Sequence, residues 1–297
     1  VHSVLQPLGV HVVLLTGSLK GQKRDQALKA IESGSGQVII GTHALIQDSV
    51  SFQNLGLLIV DEQHRFGVRQ RMALLKGKNN RPDLLVMSAT PIPRSLAMAF
   101  YGDLDLSILD ELPPGRKPVK TELRAPAQRE SVYKFVRTQI EEGRQAYLVY
   151  PLVSESDKLD LLAATEEFER LKLEVFPGSR LGLLHGQLPA SEKYDTMSAF
   201  AGGDLDLLVA TTVVEVGIDV PNASVMLIEN AERFGLSQLH QLRGRVGRGP
   251  AKSHCILIAE PEGRARERLN IFRDCTDGFE IARADLRMRG QGDFFGS

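Results

Sequence analysis

Short, unbroken apolar runs recur along this chain, and each empties into a polar or hydroxyl-bearing loop. Leu57-Leu-Ile-Val60 runs into Asp61-Glu-Gln-His64, Leu84-Leu-Val-Met87 into Ser88-Ala-Thr-Pro-Ile-Pro-Arg94, and Leu207-Leu-Val-Ala210 into Thr211-Thr-Val-Val-Glu-Val-Gly-Ile-Asp219. A run of this length reads as a strand buried on both faces, the environment of a parallel sheet covered by helices. Parallel strands need crossovers, so the intervening segments are read as helices and the chain as α/β. In such sheets ligand crevices open at the carboxyl ends of the strands, where all three polar loops fall.

Strands are expected at residues 10–15, 37–40, 57–60 and 84–87, with a helix over 22–33 that Gly34-Ser-Gly36 terminates. Further strands at 145–150, 180–184, 205–210 and 224–228 alternate with helices near 127–142, 159–173 and 190–201. Proline and glycine concentrate in Pro113-Pro-Gly-Arg-Lys-Pro118, which reads as a linker. The expected organisation is a first lobe over 1–112, a linker over 113–118, a second lobe over 119–260 and a helical hairpin over 261–297.

Two chemistries stand on residue type and spacing alone. In Gln238-Leu-His-Gln-Leu-Arg-Gly-Arg-Val-Gly-Arg248, two arginines three apart each follow a glycine. A guanidinium offers a rigid fork of donors to phosphate oxygens, and a flanking glycine lets backbone come close. Arg245 and Arg248 are therefore candidate arginine fingers that neutralise charge developing on phosphate. At the end of an apolar run, one carboxylate can hold Mg2+ through water while its neighbour orients or deprotonates the attacking water. Asp61 takes the metal role and Glu62 the water role.

Four segments in this order, Asp-Glu-Gln-His at 61–64, Ser-Ala-Thr at 88–90, Ala-Thr-Thr-Val-Val-Glu-Val-Gly-Ile-Asp at 210–219 and Gln-Leu-Arg-Gly-Arg-Val-Gly-Arg at 241–248, resemble motifs II, III, V and VI of superfamily 2 helicases. Asp110-Glu-Leu-Pro-Pro-Gly-Arg-Lys-Pro118, with Asp61-Glu-Gln-His-Arg-Phe-Gly-Val68, narrows the resemblance to the RecG family, bacterial ATP-dependent helicases of branched DNA. The resemblance covers essentially the whole chain and implies two RecA-like lobes with parallel sheets, the first incomplete, and ATP in the cleft between them. It gives Gln63 and His64 a role in coupling hydrolysis to DNA. Around the nucleotide it adds Gly217, Asp219 and Gln241 to Asp61, Glu62, Arg245 and Arg248, with Asp219 contacting the ribose or bridging to the arginine loop.

Loops that follow strands are expected to hold DNA phosphates through hydroxyls and backbone N–H groups without reading bases. These are Gly41-Thr42-His43, Ser88-Ala89-Thr90 with Arg94, His185-Gly186, and Thr211-Thr212 with Glu215. Asp285-Leu-Arg-Met-Arg-Gly-Gln-Gly-Asp-Phe-Phe-Gly296 resembles the translocation motif that the RecG family shares with the transcription-repair coupling factor, which adds Arg287 and Arg289 to the DNA-facing set. Gln291 and Asp293 stand where the family usually has Pro and Glu.

The translocase module of the coupling factor is the alternative family, and Gln63, where that family usually has Glu, favours RecG. A third reading is a non-catalytic DNA-binding or interaction module, which would have no chemical need for Asp61, Glu62, Arg245 and Arg248. Gly-x-x-x-x-Gly-Lys-Ser/Thr occurs nowhere in the sequence, and the chain begins with Val1. Because that loop grips the β and γ phosphates, the chain is expected to be the motor portion of a longer enzyme whose P-loop and DNA-reading wedge lie upstream. Alone it is expected to be inactive.

At 297 residues, 42% hydrophobic and 25% charged, the chain has material for a core in each half. It has no apolar run long enough to span a bilayer and no signal-like start, so a bacterial cytoplasmic, nucleoid-associated location without membrane contact is expected. Cys255 and Cys275 are too isolated for a disulfide framework or zinc site and read as buried thiols. Thirty-six Lys plus Arg against 37 Asp plus Glu leave a net charge of -1, so DNA affinity must come from local basic patches. Branched double-stranded DNA and replication-fork proteins are the expected partners, and the chain is expected to act as a monomer.

Overall fold

The structure, a computed structural model, describes residues 2–47, 49–62, 82–88, 104–109, 111, 116–151, 157–211 and 218–289. The chain forms two compact units, Val1–Ala89 and Thr90–Ser297.

The first unit is built on parallel strand pairs. After a short helical turn α1 (His2–Leu5), β1 (Val12–Leu15) pairs with β2 (Val38–Gly41), and helix α2 (Gly21–Glu32) makes the crossover. Val13 and Leu15, two apart on the strand, pack with Ala27 and Ile31, four apart on the helix, and with Ala44. Beyond α2, Gly34 takes φ +71°, and a Cβ there would collide with the Gln53 side chain. Only glycine enters that conformation cheaply.

β3 (Leu57–Val60) pairs in parallel with β4 (Asp83–Val86). These strands correct the expectation of burial on both faces: Leu57 and Ile59 are 53% and 54% exposed, whereas Val60 is buried. Side chains alternate along a strand, so a pair packed on one side leaves its other apolar face open.

The second unit carries a six-stranded, wholly parallel sheet in the order β5-β10-β9-β6-β8-β7. The strands are β5 (Lys120–Arg124), β6 (Gln145–Val149), β7 (Leu181–Leu184), β8 (Leu207–Ala210), β9 (Ala223–Glu229) and β10 (His254–Ile258). The helices are α3 (Arg129–Glu141), α4 (Asp157–Arg170), α5 (Ala190–Gly202), α6 (Leu236–Arg243), α7 (Gly263–Asp274) and α8 (Gly278–Arg289). β5, β10 and α6 are additional to the elements expected from sequence. β5 is an edge strand whose Lys120 and Arg124 both pair with Glu122, so it carries no apolar run to read.

Period-two alternation divides the core. Tyr147, Val149, Met226 and Ile228 face α5, α6 and the α7–α8 hairpin, while Ala146, Leu148, Val225 and Leu227 face α3. All seven residues of β9 are buried, and each large apolar side chain among them contributes about 1.5–3 kcal/mol through burial. The hairpin packs onto the first face through Leu269, Phe272, Ile281 and Ala284. Cys255 is buried in β10, but Cys275 is only half-buried, because it lies in the turn between α7 and α8.

β6 and β9 are neighbours whose onward connections leave in opposite directions, toward β8 and β7 on one side and toward β10 on the other. That reversal is a topological switch point, and it opens a crevice at the carboxyl edge of the sheet.

Candidate functional site

The arginine pair sits in a loop that the sequence constrains at both ends. Asn230, with φ +47°, turns the chain out of β9, and Gly235 N donates to Gln238 Oε1 at 3.0 Å to start α6. Leu236, Leu239 and Leu242 bury one stripe of α6. Past the helix, Arg245 N donates to Leu242 O at 3.0 Å, and Val246 is fully buried, which pins the loop between the two arginines. Gly247 takes φ +79°, a conformation that suits glycine. Gly249 lies where a Cβ would stand 2.2 Å from Pro221 O.

The loop presents Arg248 exposed and Arg245 half-buried. Arg248 Nε donates to Gly244 O at 3.1 Å and Nη1 to Asp219 Oδ1 at 3.1 Å. Gln241 is half-buried on α6. Tyr147 of β6 shares this neighbourhood. Burial pushes its hydroxyl up to about 12, Arg245 and Arg248 pull it down, and Asp219 adds to the rise. The structure thus gathers Asp219, Arg245 and Arg248 at one place in the second unit, while Gly217 lies outside the described residues.

Arg243 is a structural keystone that was not among the candidates. It is 5% exposed, donates from Nη1 to Phe272 O at 3.1 Å and Cys275 O at 2.9 Å, and lies 4.3 Å over the Phe272 ring. Ser237 Oγ bonds Asp285 Oδ2 at 2.9 Å, and Arg268 of α7 donates to Glu232 O. The hairpin is therefore fastened to the segment between β9 and the arginine loop at several points. The available signal was spacing: Arg243 is seven residues from Leu236, on the apolar stripe of α6.

In the first unit, Asp61 and Glu62 follow β3, as placed by the sequence. Asp61 is exposed, and its Oδ1 accepts from Glu62 N at 2.9 Å. Glu62 is half-buried with φ +50°. A left-handed non-glycine residue at a strand end is a strained conformation of the kind found at ligand sites. Gln63 and His64 lie outside the described residues.

Of the loop candidates, Gly41, Thr42 and His43 are exposed at the carboxyl end of β2, and Ser88 is exposed beyond β4. His185 and Thr211 follow the adjacent strands β7 and β8, joined by Thr211 N donating to Leu184 O at 3.1 Å. His185 Nδ1 and Thr211 Oγ1 are both buried with no hydrogen-bond partner among the described residues, whereas buried polar groups normally find one. Burial, then Lys193, hold the His185 imidazole below its ordinary pKa, with Glu192 opposing. Gly186 is exposed and its carbonyl accepts from Lys193 Nζ. On α8, Arg287 is exposed and donates to Arg283 O at 3.4 Å. Ala89, Thr90, Arg94, Thr212, Glu215 and the Arg289 side chain lie outside the described residues.

Two family models match the chain, DEAD/DEAH box helicase over residues 1–99 and the helicase conserved C-terminal domain over residues 127–250. The ATP-dependent DNA helicase RecG of Thermotoga maritima is 56% identical over 288 residues, covering 97% of this chain and 37% of that protein. RecG of Escherichia coli O157:H7 is 52% identical over 298 residues, covering 98% of this chain and 43% of that protein. The solved structure of RecG bound to a three-way DNA junction matches with a TM-score of 0.78 at 50% identity, covering 98% of this chain and 38% of that one. Yeast Dbp5 bound to RNA and ADP BeF3 matches with a TM-score of 0.62 at 16% identity, a likeness of fold. The chain spans about two fifths of the length of its RecG relatives, whose names favour that family over the coupling-factor translocase. The two units are RecA-like helicase domains, and the chain belongs to the RecG family.

Proposed function

We propose that this chain is the motor portion of an ATP-dependent DNA helicase that remodels branched DNA, such as stalled forks and Holliday junctions, in repair and recombination. The observation that carries the reading is the arginine loop, in which Arg248 is held on Asp219 beside Arg245, in a chain so similar to RecG. ATP with Mg2+, when bound, supplies the phosphoanhydride whose cleavage drives movement. Toward it Asp61 offers a hard, exposed carboxylate, which suits a Mg2+ ion held through water and phosphate rather than by a protein cage. Among the described residues no group of three or more His, Cys, Asp or Glu could form such a cage.

In this mechanism Glu62 orients the attacking water and Arg245 and Arg248 neutralise charge that develops on the phosphate. Gln63 and His64 couple turnover to DNA, with Gly217, Asp219 and Gln241 completing the nucleotide site. The phosphate-gripping loop, missing from these 297 residues, is taken to come from elsewhere in the whole protein. His185 and Thr211 support a DNA-facing role for the carboxyl edge, since their buried polar atoms need partners. We assign the remaining strand-end loops, Arg287 and Arg289 to the same DNA contact. No helix among the described residues is long and apolar enough to cross a membrane, and we place the protein in the bacterial cytoplasm at the nucleoid, as a monomer that meets replication-fork proteins.

The test is ATP turnover by the full-length protein with a synthetic fork, with linear duplex and without DNA. Stimulation strongest with the fork is expected. Equal stimulation by linear duplex argues against branched DNA as the substrate, and no turnover under any condition overturns the reading.

A further inference from the structure

Residues 116–119 belong to the second unit, lead into β5 and embrace the arginine loop. Arg116 Nη2 donates to Gly244 O, the first carbonyl of the loop, at 3.4 Å. Lys117 Nζ donates to Pro250 O, the last, at 2.7 Å. Between them the Cβ position of Gly247 lies 2.7 Å from Val119 Cγ2 and 3.7 Å from Lys117 O. One short segment therefore meets the loop at its start, middle and end.

The contacts converge on the aim of Arg248. Its Nε donates to Gly244 O, the same oxygen that receives Arg116. Carbonyls outside helices and strands need donors when they are drawn into a packed region, and donors that carry a charge bind them more strongly than neutral ones. Ordering the backbone of a loop is entropically unfavourable, so tying down both its ends narrows the range of positions its guanidiniums sample.

We propose that Arg116 and Lys117 are positioning residues for the arginine loop, holding its two ends so that Arg248 stays aimed at the phosphate. This role rests on the helicase reading given under Proposed function.

The test measures steady-state ATP turnover of the full-length protein on fork DNA. The variants are Arg116→Ala, Lys117→Met, Lys117→Arg, Arg248→Ala and the Arg116→Ala/Arg248→Ala double variant. Expected is a loss of about tenfold in kcat for Arg116→Ala and Lys117→Met, the order for a slightly misplaced catalytic group, with KM for ATP and melting temperature little changed. Lys117→Arg restores turnover. Adding Arg116→Ala to Arg248→Ala costs nothing further, because both act through the same guanidinium, whereas general damage multiplies. Wild-type kcat in Arg116→Ala and Lys117→Met, or multiplying losses in the double variant, overturns the positioning role and leaves the helicase reading intact. Absence of turnover in the wild type overturns the helicase reading and this role with it.

Discussion

Arg248 and Asp219 form an ion pair at 3.1 Å that ties the arginine loop to the approach of β9. Their side chains are 36% and 55% exposed, so water screens the attraction and the pair adds at most about 1 kcal/mol of stability. Its effect is directional, since it fixes where one guanidinium points. Asp219→Asn in the full-length protein is therefore expected to shift the melting temperature by less than about 4 °C while lowering ATP turnover severalfold. Calorimetry beside a turnover assay checks this. Unchanged turnover would reduce the pair to an incidental surface contact.

Gly247 and Gly249 are expected to resist substitution for different reasons. Gly247→Ala forces a Cβ into φ +79° against the tip of Val119, a penalty of about 1–2 kcal/mol. Gly249→Ala drives a Cβ to 2.2 Å from the backbone carbonyl of Pro221, which cannot rotate away as a side chain can. Urea unfolding should rank Gly249→Ala as the more destabilising. The reverse order would mean that the loop backs away from Pro221 at little cost.

The crevice at the β6–β9 switch point is held by a buried charge. Glu229 is 2% exposed and accepts from Arg129 Nε and Nη2, each at 3.0 Å, and from the Tyr133 hydroxyl at 3.0 Å. Arg129→Ala strands that carboxylate and is expected to cost about 3–5 kcal/mol. Tyr133→Phe removes one donor and should cost about 1–2 kcal/mol. Chemical denaturation of the two variants tests the ranking, and equal losses would show that Tyr133 carries as much of the charge as Arg129.

How much of this was legible in the sequence depends on how local each signal is. The strands after which Asp61, Ser88 and Thr211 stand were visible as apolar runs, and Arg245 and Arg248 as a spaced pair with glycine. What escaped was non-local. Arg243 looks like a third loop arginine, yet its carbonyl partners are 29 and 32 residues downstream. Arg116 and Lys117 reach loop carbonyls 128 and 133 residues away. β5 was hidden because an edge strand with Lys120, Glu122 and Arg124 on one side lacks the apolar signature of its neighbours. Two burials were misjudged: that of Cys275, which lies in a turn, and that of β3 on both faces, which depends on what covers Leu57 and Ile59, and no run of residues encodes that.

His240 gives the fold an acid sensitivity of predictable sign. It stands on α6 with Nδ1 3.3 Å from Arg243 Nη2. Burial first, then the charges of Arg243 and Arg116, press its pKa down to about 4, with Asp277 opposing. In the unfolded chain the imidazole titrates near 6.5, so below that pH the unfolded state binds a proton that the folded state refuses. Stability is whole above the unfolded value and is lost as pH falls toward the folded one, by at most about 1.4 kcal/mol per pH unit from this group. His185 and His254 are lowered by burial too and act in the same direction. The carboxylates held low by partners, among them Glu122 and Asp206, have ordinary values of 4.5 and 3.8, so their losses begin at lower pH. The interval from about pH 6.5 to 5 therefore belongs to histidine. Urea midpoints across it should fall with acidity in the wild type and fall less steeply in His240→Gln. Parallel profiles would assign the acid sensitivity to the other histidines.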